Sequence, residues 1–126
     1  MSKELGSVLM LMMAAGATAQ TVSRQSHIGG YIPNSQLLEW CKSTDQADFR
    51  GCYMYITGVT NLSGSPSARL PAGPIDIPFG TPPIEPINAV VAYIQQLDPS
   101  KMSSPASETV YQVLVAKYPH QTITTK

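Results

Sequence analysis

Charge is scarce in this sequence. Only 13% of its 126 residues are Asp, Glu, Lys or Arg, and eight basic residues balance eight acidic ones. The charges are scattered singly, so there is no basic cluster of the kind that nucleic acid or an anionic membrane surface selects. Histidine is as scarce: His27 and His120 stand far apart and far from either cysteine, without the spacing of metal ligands. No phosphate-cradling glycine loop is present, and neither histidine falls beside a nucleophile. Asp45 and Asp48 could pair as carboxylates, but acids there are the expected complement of a helix start. The sequence therefore reads as a protein that binds and does not catalyse, with no metal and no cofactor implied.

Long apolar runs are also lacking, with one exception at the start. Lys3 gives a short basic lead, offset by Glu4, and Gly6–Ala17 then runs apolar through Val8-Leu9-Met10-Leu11-Met12-Met13-Ala14-Ala15. The run ends in Ala17-Thr18-Ala19, the small-x-small pattern of a signal peptidase site, followed by Gln20. It is too short for a permanent membrane helix, which needs about 20 residues. The competing reading is an amphipathic or buried N-terminal helix, but the run has no polar face. Residues 1–19 are expected to be a signal peptide cleaved after Ala19. The mature chain from Gln20 would then be exported to the periplasm of a bacterium, with no membrane anchor.

Cysteine is limited to Cys41 and Cys52. In an oxidising compartment such a pair predicts a disulfide in preference to two free thiols. Closing a loop of this size is worth about 3 kcal/mol in the chain-entropy model.

What is present is helical periodicity, interrupted by proline and glycine in one place. Residues 20–33 read as an extended lead-in containing Gly29-Gly30. Asn34 or Ser35 then caps a short helix through Leu37-Leu38-Glu39-Trp40-Cys41. After a break at Lys42–Asp45, Thr44 or Asp45 caps a second helix. Phe49, Cys52, Tyr53, Ile56 and Val59 form its apolar face, and Tyr55 lies off that stripe, free to serve an interface. If the two helices form an antiparallel hairpin, Cys41 and Cys52 meet at its closed end. Gly58 is costly in a helix interior, and a close helix–helix crossing is the expected reason for it.

Asn61–Pro83 gathers nine of the proline and glycine residues and predicts a long middle loop, with Ile75-Asp76-Ile77 as a short edge segment. A third helix from about Pro83 to Leu97 keeps Ile84, Ile87, Val90, Val91, Ile94 and Leu97 at helical spacing. A fourth begins with Ser103 or Ser104 as cap and Pro105 at its first position. Val110, Val113, Leu114 and Tyr111 or Tyr118 face inward, and Pro119 closes it. The expected fold is an all-α, compact four-helix domain over residues 34–120, with one disulfide and a polar tail at 121–126.

Leu37-Leu38-Glu39-Trp40-Cys41, a ten-residue gap, then Cys52-Tyr53-Met54-Tyr55-Ile56-Thr57-Gly58 resembles the Rap/Tai immunity family of type VI secretion. Members carry a Leu-Leu-x-x-Cys helix followed by a Cys-x-Gly-Tyr-Ile-x-Gly helix, and Met54 stands here at the first of those glycines. Ile87–Leu97 and then Ser104-Pro105-Ala106 leading into Val110–Pro119 look like the family's two closing helices. Many members hold a second cysteine pair, which this chain lacks at Ile75-Asp76-Ile77-Pro78 and Tyr118-Pro119-His120.

The resemblance implies a periplasmic immunity protein that binds a peptidoglycan amidase effector and blocks its active-site cleft, often as a homodimer. By position in the middle loop, Arg69, Leu70, Asp76 and Phe79 are the candidate partner-binding residues. The plainer role for Leu70 and Phe79 is to tuck the loop onto the core. The rival function is a periplasmic acid-stress chaperone, also small, helical and disulfide-bonded. Such proteins respond to protonation of carboxylates, and the mature chain has few of them: eight acids less Glu4 leaves seven.

Overall fold

The computed structural model describes residues 30–122. The leader, most of the lead-in with His27, and the last four residues lie outside the described residues. Four helices form the domain: α1 (Asn34–Lys42), α2 (Gln46–Ser63), α3 (Ile84–Gln95) and α4 (Ala106–Lys117), with a single 3-10 turn at Pro99–Lys101. The all-α expectation holds. Among the described residues, extended pairing is limited to two isolated bridges, Pro33 with Pro105 and Ile75 with Pro119.

Each helix packs chiefly on two others. α1 lies against α2 and α3, and α4 lies against the same two, while the diagonal pairs barely touch. Helical periodicity dictates what fills the centre: Leu37 and Cys41 from α1, Cys52 and Ile56 from α2, Ile87, Val90 and Ile94 from α3, and Val110 and Leu114 from α4. Leu37, Val90, Val110 and Leu114 are wholly excluded from solvent. Tyr53 leaves the predicted stripe and is exposed, whereas Phe49 and Val59 stay half-buried on it. Tyr55, off the predicted stripe, is partly buried and packs against this core. Burial there pushes its phenol up from the ordinary value, partly offset by a hydrogen bond with Ser107.

Cys41 and Cys52 are joined, closing the α1–α2 hairpin as expected. The two helices also come close at Gly51, where an added Cβ would sit 3.5 Å from the Trp40 ring. Gly58, expected at such a crossing, has nothing within 4 Å of its Cβ position and is exposed. The close helix–helix approach expected at Gly58 is found at Gly51 instead. Gly51 is seven residues earlier, beside the staple that forces the close approach.

Helix starts show a second departure. Asp45 caps α2 as predicted, its carboxylate accepting from the Ala47 amide at 2.7 Å. At α1 and α4 no side chain caps. Pro33 and Pro105 hold the cap positions, and the two segments cap each other through the backbone. The Asn34 amide donates to Ser104 O and the Ser35 amide to Met102 O, both at 3.0 Å, while the Ala106 amide donates to Ile32 O at 2.8 Å. Asn34, buried, adds its Nδ2 to Lys101 O at 3.0 Å. First-turn amides need partners, but a neighbouring chain supplies them as well as a side chain does. α2 runs on to Ser63, past Asn61 where the middle loop was expected to begin.

Candidate functional site

The middle loop is the one segment whose shape helical periodicity does not set, and three anchors set it instead. Ser63, buried at the end of α2, donates its hydroxyl to Thr60 O at 2.6 Å and accepts from the Ile75 amide at 2.9 Å. Ile75 inserts its side chain into the core. Tyr111 on α4 donates its hydroxyl to Gly73 O at 2.8 Å and accepts from the Ala72 amide at 3.1 Å. Finally, the Asp76 amide donates to Tyr118 O at 2.9 Å, so the expected edge segment pairs with the strand-like exit of α4. Tyr118 is buried there, and desolvation, helped by the nearby Glu85 charge, pushes its phenol up.

These anchors divide the loop into two arms. The first, residues 64–71, is a chain of tight turns in which Arg69 is exposed at φ 45° and Leu70 is half-buried. The second is a turn closed twice on Pro78: the Thr81 amide reaches Pro78 O at 3.1 Å and the Thr81 hydroxyl reaches it at 2.8 Å. Gly80, at φ 88°, supplies the left-handed position that this reversal needs. At the tip stands Phe79, whose side chain is completely exposed at 109% of its reference area.

The four candidate residues therefore separate. Asp76 is exposed beside the tail, its carboxylate 3.6 Å from His120 Nδ1. Leu70 is half-buried, and the loop is tucked onto the core by Ile75 and Ile77. Phe79 takes no part in this. Sequence reasoning missed Ile84, which is 48% exposed in the first turn of α3, and the nearby exposed Tyr53. The helical stripe assigned both to the core. Between the Phe79 turn, α2 and the start of α3 lies a shallow groove of about 180 Å3 floored by Ile56, Ile77 and Ile87 and rimmed by Thr57 and Thr60. No ionised side chain lines it. Both threonine hydroxyls already donate to backbone carbonyls of α2, leaving their methyls and lone pairs for any visitor.

The arrangement offers a rigid aromatic knob next to an uncharged depression, which suits contact with another protein surface. His120 and Asp76 form an exposed pair in the tail, and no third residue of a nucleophilic system stands with them among the described contacts. No group of three or more His, Cys, Asp or Glu gathers among the described residues, and no described helix is long and apolar enough to cross a membrane.

Residues 34–119, from the first residue of α1 to just past α4, match a family model described as Rap1a immunity proteins. No curated protein and no solved structure matches the chain.

Proposed function

The chain belongs to the Rap1a immunity protein family, and on that premise we propose that it is a periplasmic inhibitor of a peptidoglycan amidase effector of type VI secretion. Membership implies a cognate toxin as partner and a non-enzymatic role. The observation that carries the reading is the span of the match, which covers all four helices and the disulfide between them. In this reading residues 1–19 direct export and the domain begins at residue 34. The toxin's cleft receives the Phe79 turn, with Asp76, Leu70 and Arg69 on its flanks, and the protein acts as a homodimer.

Physical chemistry supports the choice of Phe79. Exposing a phenylalanine in isolation forgoes the ~1.5–3 kcal/mol that burial returns. The turn beneath it is already ordered by two bonds to Pro78 O, so little conformational entropy is lost on docking. Co-purification of the periplasmic protein with the product of the adjacent gene tests the reading. A stable complex with an amidase supports it, and a neighbour that is no toxin, or that forms no complex at micromolar concentration, removes it.

A further inference from the structure

Among the described residues three have a left-handed backbone, and all three lie in the middle loop: Gly73 at φ 79°, Gly80 at φ 88° and Arg69 at φ 45°. Glycine adopts that conformation freely, whereas the Cβ of an arginine crowds the following carbonyl oxygen. The path of the first arm demands the conformation. Ser65–Ala68 is a turn closed by the Ala68 amide on Ser65 O at 3.0 Å. Leu70–Gly73 is another, closed by the Gly73 amide on Leu70 O at 3.1 Å. Pro66 and Pro71 hold the second position of each, so Arg69 is the single joint between two proline-stiffened turns. Beyond them the arm is fixed by the Ser63 hydroxyl at one end and by Tyr111 at the other. Glycine would serve at this joint with less strain, as it does at Gly73 and Gly80. The backbone therefore explains the turn and not the arginine.

Contacts within the chain do not explain it either. Arg69 is exposed, and the ion pairs among the described residues, Lys117 with Glu85 and His120 with Asp76, leave it out. From Gly51 to Ile75 it is the one Asp, Glu, Lys, Arg or His in the sequence. We propose that Arg69 is a specificity residue whose guanidinium, held on a stiff turn, binds the carboxylate of an Asp or Glu side chain on the cognate effector. The inference rests on the functional reading above and deepens it by naming the chemistry on the partner's side. A carboxylate is the fitting group because the planar fork of a guanidinium can engage both of its oxygens at once. The stiff arm leaves little backbone freedom to lose on contact. Arg69 and Phe79 then do different work. An apolar knob fits any apolar cleft, whereas a fixed charge rejects a cleft that offers no acid to meet it.

Two variants, each measured for thermal unfolding and for affinity to the adjacent gene's product, test the proposal. Arg69→Gln keeps the Cβ and removes the charge. It should unfold with wild type and bind roughly tenfold more weakly. Its affinity should also depend less on salt than that of wild type, because the charge that salt screens is gone. Arg69→Gly removes the crowding as well. It should bind as weakly as Arg69→Gln yet unfold a few degrees higher, a gain that a residue kept for the fold would not show. Wild-type affinity in Arg69→Gln, an unaltered salt dependence, or an Arg69→Gly midpoint at or below wild type would each overturn the proposal. These failures are distinct from failure of the functional reading, in which wild type itself forms no complex and the proposal falls with it.

Discussion

Phe79 and Leu70 share a loop and an apolar character, yet the structure gives them different work. Leu70 is half-buried, whereas Phe79 is fully exposed on a turn that Gly80 and Thr81 hold shut. Phe79→Ala should therefore leave stability within about 0.5 kcal/mol of wild type, as exposed substitutions do. If it anchors the effector, the same change should cost about 2 kcal/mol of binding, roughly thirtyfold in affinity. Calorimetric binding and thermal unfolding of the one variant separate the two effects, and unaltered affinity would clear Phe79 of the role. The sequence marked Phe79 by position alone. Its exposure was not legible, because Ile75 and Phe79 are both apolar residues that follow a proline, and long-range bonds, from the Ile75 amide to Ser63 and from the Asp76 amide to Tyr118, draw Ile75 into the core. Ser63→Ala tests that bond directly. It leaves a buried amide without a partner and should destabilise by about 1–3 kcal/mol in denaturant unfolding. An unchanged midpoint would mean that the loop is held by Tyr111 and Tyr118 instead.

At the level of elements, periodicity located all four helices, since each buries one stripe of aliphatic side chains at 3.6-residue spacing. It did not locate their ends. α1 and α4 start at proline caps whose amide partners come from each other's lead-in, a long-range arrangement that no local capping rule detects. It did not single out Gly51 as the glycine of close approach, because helical spacing says which residues share a face and not how near the next helix stands. The staple between α1 and α2 was legible, since it needs only two cysteines and an oxidising compartment. With a sequence separation of 11 between the bridged positions, removal of the bond by Cys41→Ala with Cys52→Ala should lower stability by about 3 kcal/mol. Chemical denaturation of oxidised and variant protein gives the difference. A loss well below 1 kcal/mol would show that the hairpin is held by the Trp40–Gly51 contact and the core alone.

At the scale of the whole molecule, the domain is a small helical scaffold that fixes one aromatic turn, and its few acids make it poorly suited to switching with pH. Asp98 is the acid with a lowered pKa, held down first by hydrogen bonding to the Ser100 amide at the 3-10 turn. Its folded form binds a proton less readily than the unfolded chain, for which about 3.9 is ordinary. Any stability it adds is present above that value and fades as pH falls through the lower folded value. Near-UV circular dichroism should therefore hold at pH 5 and above, with loss confined to more acidic solution, and Asp98→Asn should flatten that acid limb while keeping the cap. Loss of near-UV signal together with gain of client protection at about pH 2–3 would favour an acid-activated chaperone.

The most direct measurement is a titration of the purified protein into the adjacent gene's product while peptidoglycan hydrolysis is followed. Inhibition of an amidase is predicted to be complete near stoichiometric addition, and Phe79→Ala should shift the curve to higher concentration. An amidase that hydrolyses at full rate in the presence of excess protein would contradict the assignment.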